Sequence, residues 1–572
     1  MNHIKIPNYL KKYIVEQNYD RYTYIDHSVW RFIMKISIEF FKKQAHLSYL
    51  DGLGKTGISI DYIPRIEDMN KKLKSIGWGA VCVRGFIPPH AFMKFQSLCI
   101  LPIAADMRTL THLTYTPSPD IVHEAAGHAP IISDPSYAKY LQAYGLAASK
   151  AIMSKHDLDL YNSIRKLSDL KEDENATLNK IKCAEDELKE AYNKIDTISE
   201  VGYLARMNWW TVEYGLIGNV QDYKIYGAGL LSSVAESYNC LSKNVKKEPF
   251  NLNCINYAYD ITEQQPHLFV TDSFDNLTKE LKRFEKSMAF NIGGKLGLDK
   301  AITADLCCTI VIDNLIQVSG ILKNVIYIKN QPIFIQLNGP SQISCNNKEL
   351  VGHGADYHQL GYSTPIGQIK KIICLNLKLN INNLNNYINS EIEIIYDSGI
   401  KLKGCLKNIT KNNDCTILLT FSNCSVKYKG KLLFKPDWGN YDLIIGHIVS
   451  SVFGGPADIE NYENYLPGVD LDNSIMDSKK NYSEQYLYIN KLYKDVRKMR
   501  ESGKINIDFL KNVYMKIVNE ENIHWLLLYE ILELVKSENS QWVHDIKLYL
   551  KQKSNNNSDL SNVIRRGLLL IK

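Results

Sequence analysis

Residues 114–130, TYTPSPDIVHEAAGHAP, set His123 and His128 five residues apart with Glu124 next to the first. The zinc-protease pattern H-E-x-x-H instead places its histidines at i and i+4, on one helical face. Here the spacing is one residue longer. At about 100° per residue, positions i and i+5 diverge by roughly 140° on an ideal α-helix. Both rings can reach one ion only if the helix starts, distorts or ends nearby, and Gly127 is well placed to allow that. A metal site here is therefore not of the zincin type. The third ligand is sought in RMNWWTVEYGLIGNVQDYKIYGAGLLSSVAES, where Glu213 follows Trp209, Trp210, Thr211 and Val212. A carboxylate among aromatic and aliphatic residues is costly to bury unpaired, and coordination removes that cost. Two neutral imidazoles and one carboxylate form the facial set used by non-haem Fe(II) oxygenases, with open positions opposite for water, O2 or substrate. Zinc accepts the same three donors, so ligand identity alone does not choose iron.

The elements that must hold these residues are expected to be mainly helical over the first half. HSVWRFIMKISIEFFKKQ has apolar spacing near 3.6, and IPRIEDMNKKLKSIG reads as a Pro-initiated helix closed by Gly77. Between about 150 and 200 the chain turns highly charged. Ile181, Ala184, Leu188, Ala191, Ile195 and Ile198 follow a 3-4-3-4-3 spacing there, which predicts an exposed helix or helical hairpin inserted into the fold. From about 305 to 450 short β-type runs separated by turn residues predict a β-rich region. After FGGPADIENYENYLPG the pattern is helical again, as in ENIHWLLLYEILELVKS. The expected division is 1–298, 299–455 and 456–572, with the amphipathic helices of the last span needing a surface to cover.

Three segments, TYTPSPDIVHEAAGHAP, WWTVEYGL and YGAGLLSS, resemble the pterin-dependent aromatic amino acid hydroxylases in order and spacing. The resemblance covers about residues 10 to 295 and is interrupted by the helical insertion. It implies the mainly α catalytic domain of that family, followed here by the β-rich domain and a helical C-terminal tail. It implies Fe(II) on His123, His128 and Glu213, with Glu124 beside a tetrahydropterin (tetrahydrobiopterin or a related pterin). The pterin would stack on Phe92 with Ile87 close by. Arg108 corresponds to the arginine that holds the substrate carboxylate, a task suited to a guanidinium fork. Tyr115, Thr116, Pro119 and Trp209 fall on substrate-binding positions, and Ser232 on a serine close to ligands and substrate. Glu124 and Ser232 are the residues the resemblance brings nearest the chemistry. Trp209 and Val270 match the phenylalanine enzymes. Three departures stand out: Pro102 where a ring-pocket histidine is usual, Pro88-Pro89 where pterin-contacting serines are common, and Asn208 where an aromatic is usual.

The expected activity is hydroxylation of an aromatic amino acid, phenylalanine to tyrosine foremost, with O2 and reduced pterin. Tryptophan or tyrosine as substrate, or a ligand-binding sensor with a hydroxylase-like half, are the alternatives. The 572 residues carry a net charge of +6, which makes no case for nucleic acid. The first thirty residues lack a signal-peptide core, and no apolar run approaches the roughly 18 residues of a membrane span. Twelve cysteines without a C-x-x-C pair read as reduced thiols of a cytoplasmic protein. A second His-x4-His, His353 and His358 in LVGHGADYHQLG, reads as ordinary polar residues of a glycine-rich turn with no carboxylate partner in view.

Overall fold

A computed structural model describes residues 5–571 except 86, 115–118, 173–175, 262–263, 376, 414, 467–481, 519–523 and 556–557. The periodic stretch near the start forms the helix Tyr24–Gln44, opened by a capping box in which Thr23 and Asp26 bond each other's backbone N–H. Ile66–Leu73 is helical and closes through a short 3-10 turn onto Gly77, whose φ of +83° is the left-handed conformation that glycine adopts without strain. The predicted insertion is the helical pair Lys155–Glu172 and Leu178–Asn193, packed on each other. Ala184 and Ala191 are buried while the intervening charges stay exposed. A parallel pair of strands, Gly79–Val83 and Ile100–Ala104, and a four-stranded sheet with His267–Thr271 in its interior complete this half.

The β-rich region holds two antiparallel sheets. One contains Cys307–Ile312, Ile316–Ile328, Gln331–Cys345, Gly361–Pro365 and Val449–Gly454. The other contains Glu391–Tyr396, Lys401–Asn412, Cys415–Tyr428 and Tyr441–Ile444. Hairpins of both sheets account for part of the asparagine content. Lys329-Asn330, Asn346-Asn347 and Lys429-Gly430 each join two strands with both residues at positive φ. Such two-residue turns match the twist of the flanking strands, and asparagine tolerates φ above zero better than other non-glycine residues.

The C-terminal helices do not form a separate body. Glu484–Ser502 and Asp559–Leu570 pack on Tyr24–Gln44, and Ile489, Tyr493, Leu526, Tyr529 and Ile564 join the same hydrophobic core as Val29, Trp30 and Phe32. Phe32 meets Trp525 and Tyr529 edge-to-face, with centroids 5.2 and 4.9 Å away. Each such pair contributes about 0.5–1.5 kcal/mol beyond area burial. Polar partners lock the register: Ser28 donates to Glu530, Arg31 pairs with Glu533 at 2.5 Å, and Lys35 also reaches Glu533. Burial alone would raise the Glu533 carboxyl, but Arg31 and Lys35 outweigh it and hold the carboxyl below its usual range. A carboxyl so depressed stabilises the fold above about pH 4.3, the unfolded value, and that contribution fades as pH falls through the lower folded value. The melting temperature of Glu533→Gln is therefore expected to lie below wild type at pH 7 and to converge with it only as pH falls through the depressed folded value of Glu533. Equal melting curves at pH 7 would remove this pair from the tail's attachment.

Candidate metal centre

His123 and His128 stand on one turn of π-helix, Val122–His128. In such a turn the backbone bonds run to the fifth preceding residue, and here the Ala129 N–H donates to the Glu124 carbonyl. Residues five apart thus come onto one face, and the two Nε2 atoms lie 3.1 Å apart. Glu213 closes a second π-helical turn, Trp209–Glu213, in which the Tyr214 N–H donates to the Trp209 carbonyl at 2.9 Å. Its Oε2 lies 3.4 Å from His123 Nε2 and its Oε1 3.4 Å from His128 Nε2. The His128 side chain is 2% exposed, whereas those of His123 and Glu213 are 20% and 15% exposed, so the group opens to one side only.

The short helix Ala228–Ser232 is wedged against both π turns. A Cβ on Gly127 would stand 2.7 Å from the Ala228 carbonyl oxygen, and one on Gly227 would stand 2.4 Å from the Glu213 carbonyl oxygen. Both distances are shorter than real side chains allow. Gly127 therefore serves close approach between backbones, inside the helix distortion expected around it. Ser232, from the same helix, donates to the Ala228 carbonyl at 2.7 Å and accepts from His123 Nδ1 at 3.0 Å. That arrangement places the His123 proton on Nδ1 and leaves the Nε2 lone pair facing His128 and Glu213.

Charge in the cluster is balanced internally. Burial pushes His123 down to about 4. Burial works against a charged His128 too, but Glu213 and Glu124 outweigh it and raise that ring to about 9. Glu213, despite burial, is held at about 2 by the two histidines. The carboxylate thus requires one positive charge beside it, and a divalent cation can take the place of the His128 proton. Burial pushes the Glu124 carboxyl up to about 8, so it is a neutral acid at neutral pH. Its Oε2 is buried with no hydrogen-bond partner among the described residues, 3.9 Å from His128 Nε2.

Arg108 is brought to this group. Its Nε and Nη2 grip the two oxygens of Asp120 at 2.7 Å each, and Nη1 donates to the Ser232 carbonyl at 3.2 Å. Five N–H donors are present and these bonds use three. Asp120, although buried, is kept below its usual range by Arg108, and it also accepts from the His123 N–H at 3.0 Å. Its place three residues ahead of His123 is an N-cap position, a signal that sequence reasoning passed over. Asn208, one of the departures from the family pattern, lies near enough to the Glu213 carboxylate to help hold it below its usual range.

Trp209 is stacked with Tyr214 and Tyr259, centroids 4.6 and 4.4 Å away, and donates to Gln265. It borders a cavity of about 980 Å³ whose other walls include Pro88, Met93, Asn208, Phe453 and Pro456. The β-rich region thus contributes to this space. Phe92 and Ile87 share a smaller cluster with Leu10, Tyr13 and Phe95, apart from the core around the ligands. Pro119 is half-buried beside Asp120, while Tyr115 and Thr116 lie outside the described residues. Val270 lies in the strand His267–Thr271, paired with Leu216 just after Glu213.

The model of the family described as biopterin-dependent aromatic amino acid hydroxylase matches residues 8–161 and 196–294. A phenylalanine-4-hydroxylase of Mesorhizobium japonicum is 31% identical over 269 residues, 46% of this chain and 81% of that protein. The chain belongs to the biopterin-dependent aromatic amino acid hydroxylases. It is a pterin-dependent monooxygenase most like the phenylalanine-4-hydroxylases, and that of Chromobacterium violaceum is 29% identical over 268 residues, 46% of this chain and 75% of that protein. A crystal structure of the latter, titled as holding iron(III) and 7,8-dihydrobiopterin, aligns with 49% of this chain and 92% of its own at 27% identity and a TM-score of 0.38.

Two departures of this hydroxylase from the family pattern have structural places. Pro88 and Pro89 open the helix Pro89–Ser97, where a missing N–H costs nothing. Pro102 is buried in the strand Ile100–Ala104 opposite Val81. Among the described residues no helix is long and apolar enough to cross a membrane, and all twelve cysteines are free. Replacing Ser232 by alanine removes the acceptor that holds the His123 tautomer. Metal affinity of Ser232→Ala is expected to fall about 10- to 100-fold with the fold retained. Unchanged affinity in a chelator competition would show that Ser232 does not position His123.

Proposed function

We propose that this hydroxylase converts L-phenylalanine to L-tyrosine using O2, a tetrahydropterin and an Fe(II) held by His123, His128 and Glu213. The observation that carries the reading is the preset facial group of two Nε2 atoms and a carboxylate, 3.1 to 3.4 Å apart and open on one side. Those separations suit three cis ligands of a metal about 2.1 Å away, and the donor types suit Fe(II). When bound, iron and reduced pterin supply the activation of O2 and the oxidation of the ring, which no side chain can perform.

The chain's own residues bind, orient and shield. The two Arg108 N–H groups beyond its bonds to Asp120 and Ser232 are proposed to take the substrate carboxylate, while Asp120 holds the guanidinium plane still. Because Arg108 and His123 share both Asp120 and Ser232, amino acid and metal are located from one rigid frame. Orientation of this kind supplies up to about 7–11 kcal/mol of a barrier. Glu124, neutral and lacking a partner for Oε2, is proposed to hydrogen-bond the pterin. Phe92 and Ile87 are its proposed apolar support. Trp209, propped by Tyr214 and Tyr259, is proposed to wall the substrate ring, with Pro119, Tyr115 and Thr116 completing that pocket. We assign residues 299–455 a non-catalytic part in stability, assembly or control.

Incubation of the full chain with phenylalanine, tyrosine and tryptophan in turn, with product identification, tests the substrate. Tyrosine is expected to form fastest, and preferential 5-hydroxytryptophan would transfer the assignment to tryptophan. Pterin oxidation without any hydroxylated amino acid would sink the catalytic reading. His128→Ala should lose iron and turnover together. Arg108→Lys keeps charge but loses the fork, so KM for the amino acid should rise roughly tenfold or more at normal iron content. An unchanged KM would take Arg108 out of the site.

A further inference from the structure

His353 and His358 do have a carboxylate partner. Both lie in the segment between the strands Lys348–Glu349 and Gly361–Pro365 of the first sheet, while Asp442 comes from Tyr441–Ile444 of the second. All three are buried, at 7%, 8% and 3% exposure. One nitrogen of each ring and one carboxylate oxygen lie within 4.8 Å of one another. His353 Nδ1 stands 3.4 Å from His358 Nε2 and 3.9 Å from Asp442 Oδ2. These separations are long for hydrogen bonds, which run about 2.7–3.2 Å. The shorter of them is close to the edge of a tetrahedron around zinc, about 3.3 Å for ligands about 2.0–2.1 Å from the ion, and the longer leaves Asp442 a few tenths of an ångström further out.

We propose that His353, His358 and Asp442 form a second metal site, for a divalent transition metal of the zinc type, that ties the two sheets of the β-rich region together. Two imidazole nitrogens and a carboxylate are the donors such an ion takes, with water completing the fourth position. The surroundings fix the ligands as a metal site requires. Asp442 Oδ1 accepts from the Thr420 hydroxyl at 2.6 Å, which turns Oδ2 toward the histidines. The Tyr362 hydroxyl donates to the Asp442 carbonyl at 2.7 Å, linking the strands on either side. His353 and His358 are held by their backbones, which accept from the Ile343 and Ser341 N–H groups of the long strand Gln331–Cys345. The burial of all three ligands points to a closed structural role and sets it apart from the open group on His123, His128 and Glu213.

The full chain, stripped with a chelator and titrated with Co(II), tests this independently of turnover. Two equivalents per chain are expected, one lost in His128→Ala and the other in His353→Gln. Saturation of wild type at one equivalent would overturn the proposal, as would a His353→Gln protein that still takes two. Asp442→Asn keeps the bond from Thr420 and supplies the same reading if His353→Gln does not fold. Zn(II) added to the stripped protein should raise the melting temperature of the β-rich region in His128→Ala. No shift there would also count against the site.

Discussion

The catalytic half depends on one backbone departure, the widening of a helix to i+5 bonding at Val122–His128. An α-helical turn would leave the two imidazoles on different faces, and the π turn brings them onto one, edge to face. The second widened turn at Trp209–Glu213 delivers the carboxylate to the same point. Regular bonding is given up where three ligand atoms must converge, a known use of π turns at functional sites. Backbones are then pressed so close that Gly127 and Gly227 have no room for a Cβ.

Electrostatics makes that convergence possible. Glu213 beside two imidazoles needs a cation, and Asp120 beside Arg108 has one built in. Asp120 caps the first ligand's backbone and grips the guanidinium at once. Ser232 joins the two groups by accepting from His123 through its hydroxyl and from Arg108 through its carbonyl. A shift of any one of these residues is felt by both the proposed metal ligands and the proposed carboxylate anchor.

The tail completes the core that the N-terminal helix begins. The aromatic contacts of Phe32 with Trp525 and Tyr529, and the ion pair of Arg31 with Glu533, bring residues about five hundred positions apart into one packed layer. The β-rich region sits between them in sequence and borders the cavity next to Trp209 through Phe453. Chain order and spatial order therefore differ: the last helices return to the first ones.

From the sequence alone, the candidate trio His123, His128 and Glu213, the helical insertion, the start of the β-rich region and the close at Gly77 could be read, because each rests on local spacing or on motif order. The family followed from three linked motifs in matching order and spacing. Tertiary structure alone decided the rest. Periodicity cannot tell an α turn from a π turn, since the difference is one hydrogen bond imposed by packing against Ala228–Ser232. Spacing could not pair Arg108 with Asp120 or seat the tail on Tyr24–Gln44. Nor could it bring Asp442 to His353 and His358. A carboxylate's partner is set by which strands become neighbours, and that is a property of the folded sheets, not of the distance along the chain.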